Sequence, residues 1–223
     1  MIPRNRIKTI EDVFEDVVEG EFRRGDPNRT RLLFAPSARS LKVAQGYFSI
    51  YEVFFPTLAF GVTDFAAIAA GISLFSFVPD KLPYLAPKVT PLPLSTFDAG
   101  GGGLYINTAA GDRDGVGIVY GVGTYGSENA ALTVGLGWRF ARGELENEPI
   151  LLIGGELRSA GIKLITENWI PPNSDVVFVS LGVWFFGENL AADFGLIHPA
   201  CTDIRGFPFI PSIGFAYNFG PAR

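Results

Sequence analysis

Ala131-Leu-Thr-Val-Gly-Leu-Gly-Trp-Arg-Phe140 alternates without a break. Leu132, Val134, Leu136, Trp138 and Phe140 fall on one face; Thr133, Gly135, Gly137 and Arg139 fall on the other. Successive side chains of an extended chain point to opposite sides, so a period of two predicts a strand. The second face decides the kind of strand. A soluble sheet turns its bulky face inward and shows Lys, Glu and Thr to water. Here the second face is small and only occasionally charged, which suits a crowded interior. The continuous bulky face is then left to meet an apolar surrounding, as the outer band of a membrane barrel does.

The same pattern recurs along the chain. Val177, Val179, Leu181, Val183 and Phe185 oppose Ser180, Gly182 and Trp184. Val116, Ile118, Tyr120 and Val122 oppose Gly117, Gly121 and Gly123, and Leu190, Ala192, Phe194 and Leu196 oppose Ala191, Asp193 and Gly195. Tyr125, Phe140, Trp169, Phe185, Phe186 and Phe219 cluster near segment ends, where interfacial girdles belong. Compact turn signals stand at Gly126-Ser-Glu-Asn129, Arg158-Ser-Ala-Gly161 and Gly187-Glu-Asn-Leu190. Strands are predicted near 31–35, 46–62, 66–75, 84–92, 97–107, 115–125, 130–140, 149–157, 162–169, 176–186, 190–197 and 211–219, which makes twelve, with ten as the alternative. Parity flips inside 46–62, so a bulge or break is expected at Pro56.

Composition narrows the class. Charged residues make up 18% of the 223, and Gly (27) and Phe (20) are abundant, which is membrane-like. The charge-free stretch Phe65–Pro79 is interrupted by Gly71 and falls short of the about 20 apolar residues a spanning helix needs. A closed barrel is the other structure that satisfies every backbone group in hydrocarbon. The reading is therefore all-β: an antiparallel up-and-down transmembrane β-barrel over 30–223, in a bacterial outer membrane, with outer-membrane lipids as its surroundings. A net charge of −5 argues against nucleic acid. Cys201 stands alone, so neither an intramolecular disulfide nor a cysteine-built metal site is expected. Residues 1–29 are densely charged and read as a short periplasmic extension. Ile7–Val18 is either a short amphipathic helix or the last strand of an upstream module. The opening residues have no apolar core of a signal peptide, which suggests a mature or truncated start.

The final segment, Ser212-Ile-Gly-Phe-Ala-Tyr-Asn-Phe219, resembles the signal read by the bacterial barrel-assembly machinery, with Ser212, Gly214, Tyr217 and Phe219 in register. That resemblance implies the machinery as a partner. Gly220-Pro-Ala-Arg223 after the last aromatic departs from the pattern, and Thr133, Gly135, Trp138 and Phe140 match it internally. More widely, Asp26-Pro-Asn-Arg-Thr-Arg-Leu32, Phe34-Ala-Pro-Ser-Ala-Arg-Ser-Leu41, Gly46-Tyr-Phe48, Phe54-Phe-Pro56, Ala86-Pro-Lys-Val89, Tyr120-Gly-Val-Gly-Thr-Tyr-Gly126 and Thr166-Glu-Asn-Trp169 are similar to stretches of outer-membrane barrels from Bacteroidetes-like and related bacteria. The resemblance implies fold and location, and no activity. It also implies that Ile2–Ile7 is the tail of a small N-terminal β-module that follows a signal peptide.

Little in the sequence points to chemistry. His198 is the only histidine, lies beside Pro199 and has no local serine, so a Ser–His–acid hydrolase is the weaker reading and a loop histidine the stronger. Gly100-Gly-Gly-Gly103 lacks the Lys-Ser/Thr of a phosphate loop and fits a glycine-rich strand against a crowded lumen. Alternation places Glu52, Lys88, Arg139, Glu156, Arg158, Lys163, Glu167 and Asp193 on the inner face. A turn at Ser159-Ala160 would set Glu156 opposite Lys163. These charges either pair into a filled interior or line a passage that selects solutes by charge; for so small a barrel the filled interior is favoured. The expectation is a barrel that is structural or a narrow channel for small solutes, with no cofactor and no catalysis. An outer-membrane lipid-modifying enzyme and a soluble lipocalin-like binder of an apolar ligand are the alternatives.

Overall fold

The computed structural model describes residues 17–18, 21–22, 26, 28–52, 54–74, 81–94, 96–108, 115–159, 161–187, 189–201 and 207–220. Twelve strands form one closed wall: β1 (Gly46–Tyr51), β2 (Phe55–Thr63), β3 (Ala66–Ser73), β4 (Leu82–Pro93), β5 (Phe97–Ile106), β6 (Val116–Gly126), β7 (Ala130–Ala141), β8 (Ile150–Ser159), β9 (Ile162–Ile170), β10 (Val177–Phe186), β11 (Leu190–Ala200) and β12 (Ile210–Phe219). Each pairs antiparallel with the next, and β12 pairs with β1 from Phe219↔Gly46 to Gly214↔Tyr51. Closure leaves no unpaired edge, the condition for backbone in hydrocarbon. No helix among the described residues is long and apolar enough to cross a membrane.

The bulky face points outward on most strands; β6 is a correction, because Ile118, Tyr120 and Val122 line the lumen there and Val119 faces out. On β7, Leu132, Val134 and Leu136 are exposed while Thr133, Gly135 and Gly137 are buried. On β10, Val179, Leu181 and Phe185 are exposed while Ser180, Gly182 and Trp184 are buried. A continuous band of exposed Leu, Val, Ile and Phe far exceeds the apolar patches of soluble monomers. The soluble binder with its bulky face inward is thereby overturned.

The two ends differ. At the end shared by Gly46 and Phe219 the connections are short: 64–65, 94–96, 127–129, 160–161 and 187–189. At the other end 52–54 is also short, but 74–81, 107–115, 142–149, 171–176 and 201–209 are longer. This is the asymmetry of bacterial barrels, whose short turns face the periplasm.

Two predicted strands are corrected. Segment 31–35 is not part of the wall; it makes a single bridge, Arg31↔Pro36, inside a turn. Segment 46–62 is two strands, because the chain reverses before Pro56 and pairs Tyr51 with Phe55 and Ile50 with Pro56. Glu52 takes φ 50° to make that reversal. The register irregularity lies further on, between Gly61 and Thr63. The two errors cancel, and the count remains twelve. The helix considered over Ile7–Val18 lies outside the described residues except for Val17 and Val18, which pair antiparallel with Phe22 and Glu21.

Candidate functional site: an occupied lumen

The segment Asp26–Ser40 folds back on itself inside the barrel. Asn28 N donates to Asp26 Oδ1 (2.9 Å), starting the turn. Ser37 N donates to Thr30 O (3.1 Å) and Leu32 N to Ala35 O (2.8 Å), so Thr30–Ser37 is a tight hairpin with its tip at 32–35. Its return limb continues through Leu41, which packs with Tyr47 of β1 and Ala59 of β2.

At the tip, the N–H groups of Leu33, Phe34 and Ala35 all donate to Glu167 Oε2, at 2.9, 2.9 and 3.0 Å. Trp169 Nε1 donates to Glu167 Oε1 at 2.7 Å. A buried carboxylate held by four N–H donors is well compensated for its loss of water. Leu32 and Leu33 pack among Leu152, Ile165, Trp184, Ala191 and Ala216. They fit because the wall beneath them is glycine: a Cβ on Gly182 would lie 2.6 Å from Leu33 Cδ2, and one on Gly154 would collide with Leu32 Cδ1.

Ionic ties surround this contact. Lys88 Nζ donates to the carbonyl oxygens of Thr30 (3.0 Å), Ser37 (3.2 Å) and Arg39, which uses all three of its donors. Arg39 pairs with Glu156, approaches Asp98 (3.9 Å) and donates to Ser127 O (2.6 Å). Lys163, fully buried, pairs with Asp26 and with Glu156 Oε2 (3.3 Å). Arg31 is held between the rings of Tyr51 and Trp184, 4.2 Å from each centroid. It donates to Leu33 O (2.7 Å) and stands 3.7 Å from Asp193. Thr90 Oγ1 donates to Ala38 O (2.7 Å), and Ala38 N donates to Thr124 Oγ1 (2.9 Å).

Of the eight charges assigned to the inner face from sequence, Lys88, Glu156, Lys163, Glu167 and Asp193 converge on the hairpin. Glu52 sits half-buried at the β1–β2 turn. Arg158 lies at the end of β8, over the Phe186 ring at 5.3 Å. Arg139 does not join the cluster: its side chain is 54% exposed and pairs with Glu146 at 2.7 Å. The expected Glu156–Lys163 register is corrected. Ser159 pairs with Ile162, so Arg158 opposes Lys163 and Glu156 opposes Ile165; Glu156 reaches Lys163 diagonally instead. Sequence reading missed Asp26, Arg31, Arg39 and Asp98. The available signal was the turn-forming Asp26-Pro-Asn28.

The hairpin packs on β8–β12 and is tied across to Lys88 and Thr90 of β4 and Thr124 of β6, but it does not fill the lumen. Beside Phe34, lined mainly by β1–β7, lies a cavity of about 480 Å³. Its wall includes Tyr47, Tyr51, Tyr84, Tyr120 and Trp169, with Ala59, Ala67, Ala69 and Ala86 between them. The glycine run on β5 makes room here, since a Cβ on Gly102 would lie 2.6 Å from the Tyr120 hydroxyl. His198, expected in a loop, lies instead in β11 opposite Val179; its Nδ1 bonds with Pro208 O (2.8 Å) and its ring packs on Phe209. Among the described residues no cluster of His, Cys, Asp and Glu is placed to hold a metal.

No protein-family profile matches the chain, and no curated protein sequence matches it. Solved structures do. A KdgM porin superposes with a TM-score of 0.57 at 8% identity, covering 79% of this chain and 98% of that one. A KdgM porin in complex with disordered oligogalacturonate superposes with a TM-score of 0.59 at 9% identity over the same shares. At such identity the likeness is one of fold: the chain has the closed twelve-stranded architecture of a porin.

Proposed function

We propose that this protein is a bacterial outer-membrane channel for small solutes, narrowed by its own Asp26–Ser40 hairpin, and that it performs no catalysis. The observation that carries the reading is the half-filled lumen. A barrel serving only as a membrane anchor has no use for a cavity of about 480 Å³, and a side-chain-filled interior would leave none. The short-turn end faces the periplasm in this reading. Ser212, Gly214, Tyr217 and Phe219 serve as the assembly signal; Phe219 packs on Phe60 (5.5 Å between centroids) at the closing seam.

The oligogalacturonate of the KdgM complex is a poor guide to the cargo. An acidic sugar chain needs lumen cations that are free to meet it. Here Arg31, Arg39, Lys88 and Lys163 are all engaged by the hairpin or by wall carboxylates. The test is refolding into detergent, a gel showing a heat-dependent mobility shift, and then planar bilayers. Discrete conductance steps from the folded species are expected. A folded species that stays silent, even with the hairpin released by the substitution discussed below, would leave a structural barrel.

A further inference from the structure

We infer that the lumen cavity is a binding site for an uncharged, mainly apolar small molecule, ring-bearing or short-chained, with a hydroxyl group. The inference deepens the channel reading, on which it rests, by naming the class of solute.

The argument begins with how the lumen charges are distributed. The carboxylates Glu156, Glu167 and Asp193 lie on β8, β9 and β11, against the hairpin. Among the described residues none of the cavity's lining side chains is a carboxylate. Two cations do border it, Arg31 and Lys88. Lys88 has its three N–H donors on three hairpin carbonyls, and Arg31 is clamped between two rings. A cation entering here would lose its water and gain no opposite charge, and an anion would lose its water while the Lys88 donors that could replace it are already committed; both are unfavourable.

The remaining wall offers surface and a few hydroxyls. Rings of Phe34, Tyr51, Tyr84, Tyr120 and Trp169 stand over a floor of alanine and glycine. Flat rings above small residues accept flat or slender apolar bodies, and about 480 Å³ falls within the usual range for small-molecule sites. Tyr84 Oη is engaged by Thr57 and Pro56 O. Tyr120 Oη points into the cavity over Gly102 and makes no hydrogen bond to a described residue, so it is the group available to a ligand hydroxyl.

The test uses the full chain in lipid nanodiscs and three probes of one skeleton: 1-naphthol (neutral), 1-naphthoate (anionic) and 1-naphthylmethylammonium (cationic). Equilibrium dialysis against loaded and empty discs subtracts partitioning into lipid. Saturable retention of 1-naphthol by the barrel, and of neither ion, is expected. Ala86→Trp and Ala69→Trp each place an indole in the cavity and should abolish that retention, with folding checked by the heat-dependent gel shift. Saturable binding of an ion in place of naphthol, or of no probe, would overturn the assignment. So would undiminished naphthol binding by a folded variant. Conductance measured on the same preparations separates the two claims: conductance without naphthol binding rejects the solute class alone, and naphthol binding without conductance rejects the channel alone.

Discussion

Replacing Glu167 by alanine removes the acceptor shared by three hairpin amides and the Trp169 indole. Each buried N–H left without a partner costs about 1–3 kcal/mol, so the three amides together disfavour the docked hairpin by roughly 3–9 kcal/mol. Even the lower end shifts the ratio of docked to released hairpin by about two powers of ten. The wall should survive, because the twelve-strand ladder makes no use of this carboxylate. Release should show in two ways. Arg31 and Arg39, buried in the native lumen, become open to trypsin in the refolded, detergent-bound protein, and conductance rises. Glu167→Gln keeps an acceptor but loses the charge, so it should lie between alanine and wild type. Unchanged protection of Arg31 and Arg39 in a folded Glu167→Ala protein would refute the claim that this contact holds the hairpin.

Lys163→Met leaves Asp26 buried without its cation, while Glu156 keeps Arg39; breaking such a buried pair costs about 3–5 kcal/mol, seen as a lower temperature for the gel shift. Gly154→Ala collides with Leu32 Cδ1 and should loosen the hairpin in the trypsin assay, while the double variant with Leu32→Ala should recover part of the protection, a coupling that two independent sites would lack. Leu181, 65% exposed on the outer face, tests the membrane band: Leu181→Arg should lower folding stability in lipid vesicles by about 2–4 kcal/mol, and a neutral result would place that face in water.

The wall was legible because a membrane barrel repeats one rule, and residues such as Leu132 to Phe140 obey it strictly. The first turn was not, because nothing in Glu52-Val-Phe54 carries a turn residue; Glu52 adopts a positive φ that sequence propensity assigns to Gly or Asn. The hairpin was misread for a related reason. Arg31-Leu-Leu-Phe-Ala35 is apolar enough for a strand, and what makes it an insert is contact with residues more than a hundred positions away, such as Glu167. The inner-face charges could be enumerated by parity alone. Their partners could not, since period two says which way Lys88 and Glu156 point and nothing about a segment that crosses the space between them.

That insert also bears on the size of the barrel. Its ties reach β4, β5, β8, β9 and β11 over separations that run from 49 residues (Arg39 to Lys88) to well beyond the 137 between Asp26 and Lys163, so they gauge the circumference from within. Because the insert precedes β1 in the chain, it is available to the lumen before β12 closes the seam at Gly46. The hairpin thus acts as a strut across the finished cylinder, fixing by its side-chain reach how far apart the strands it ties can stand.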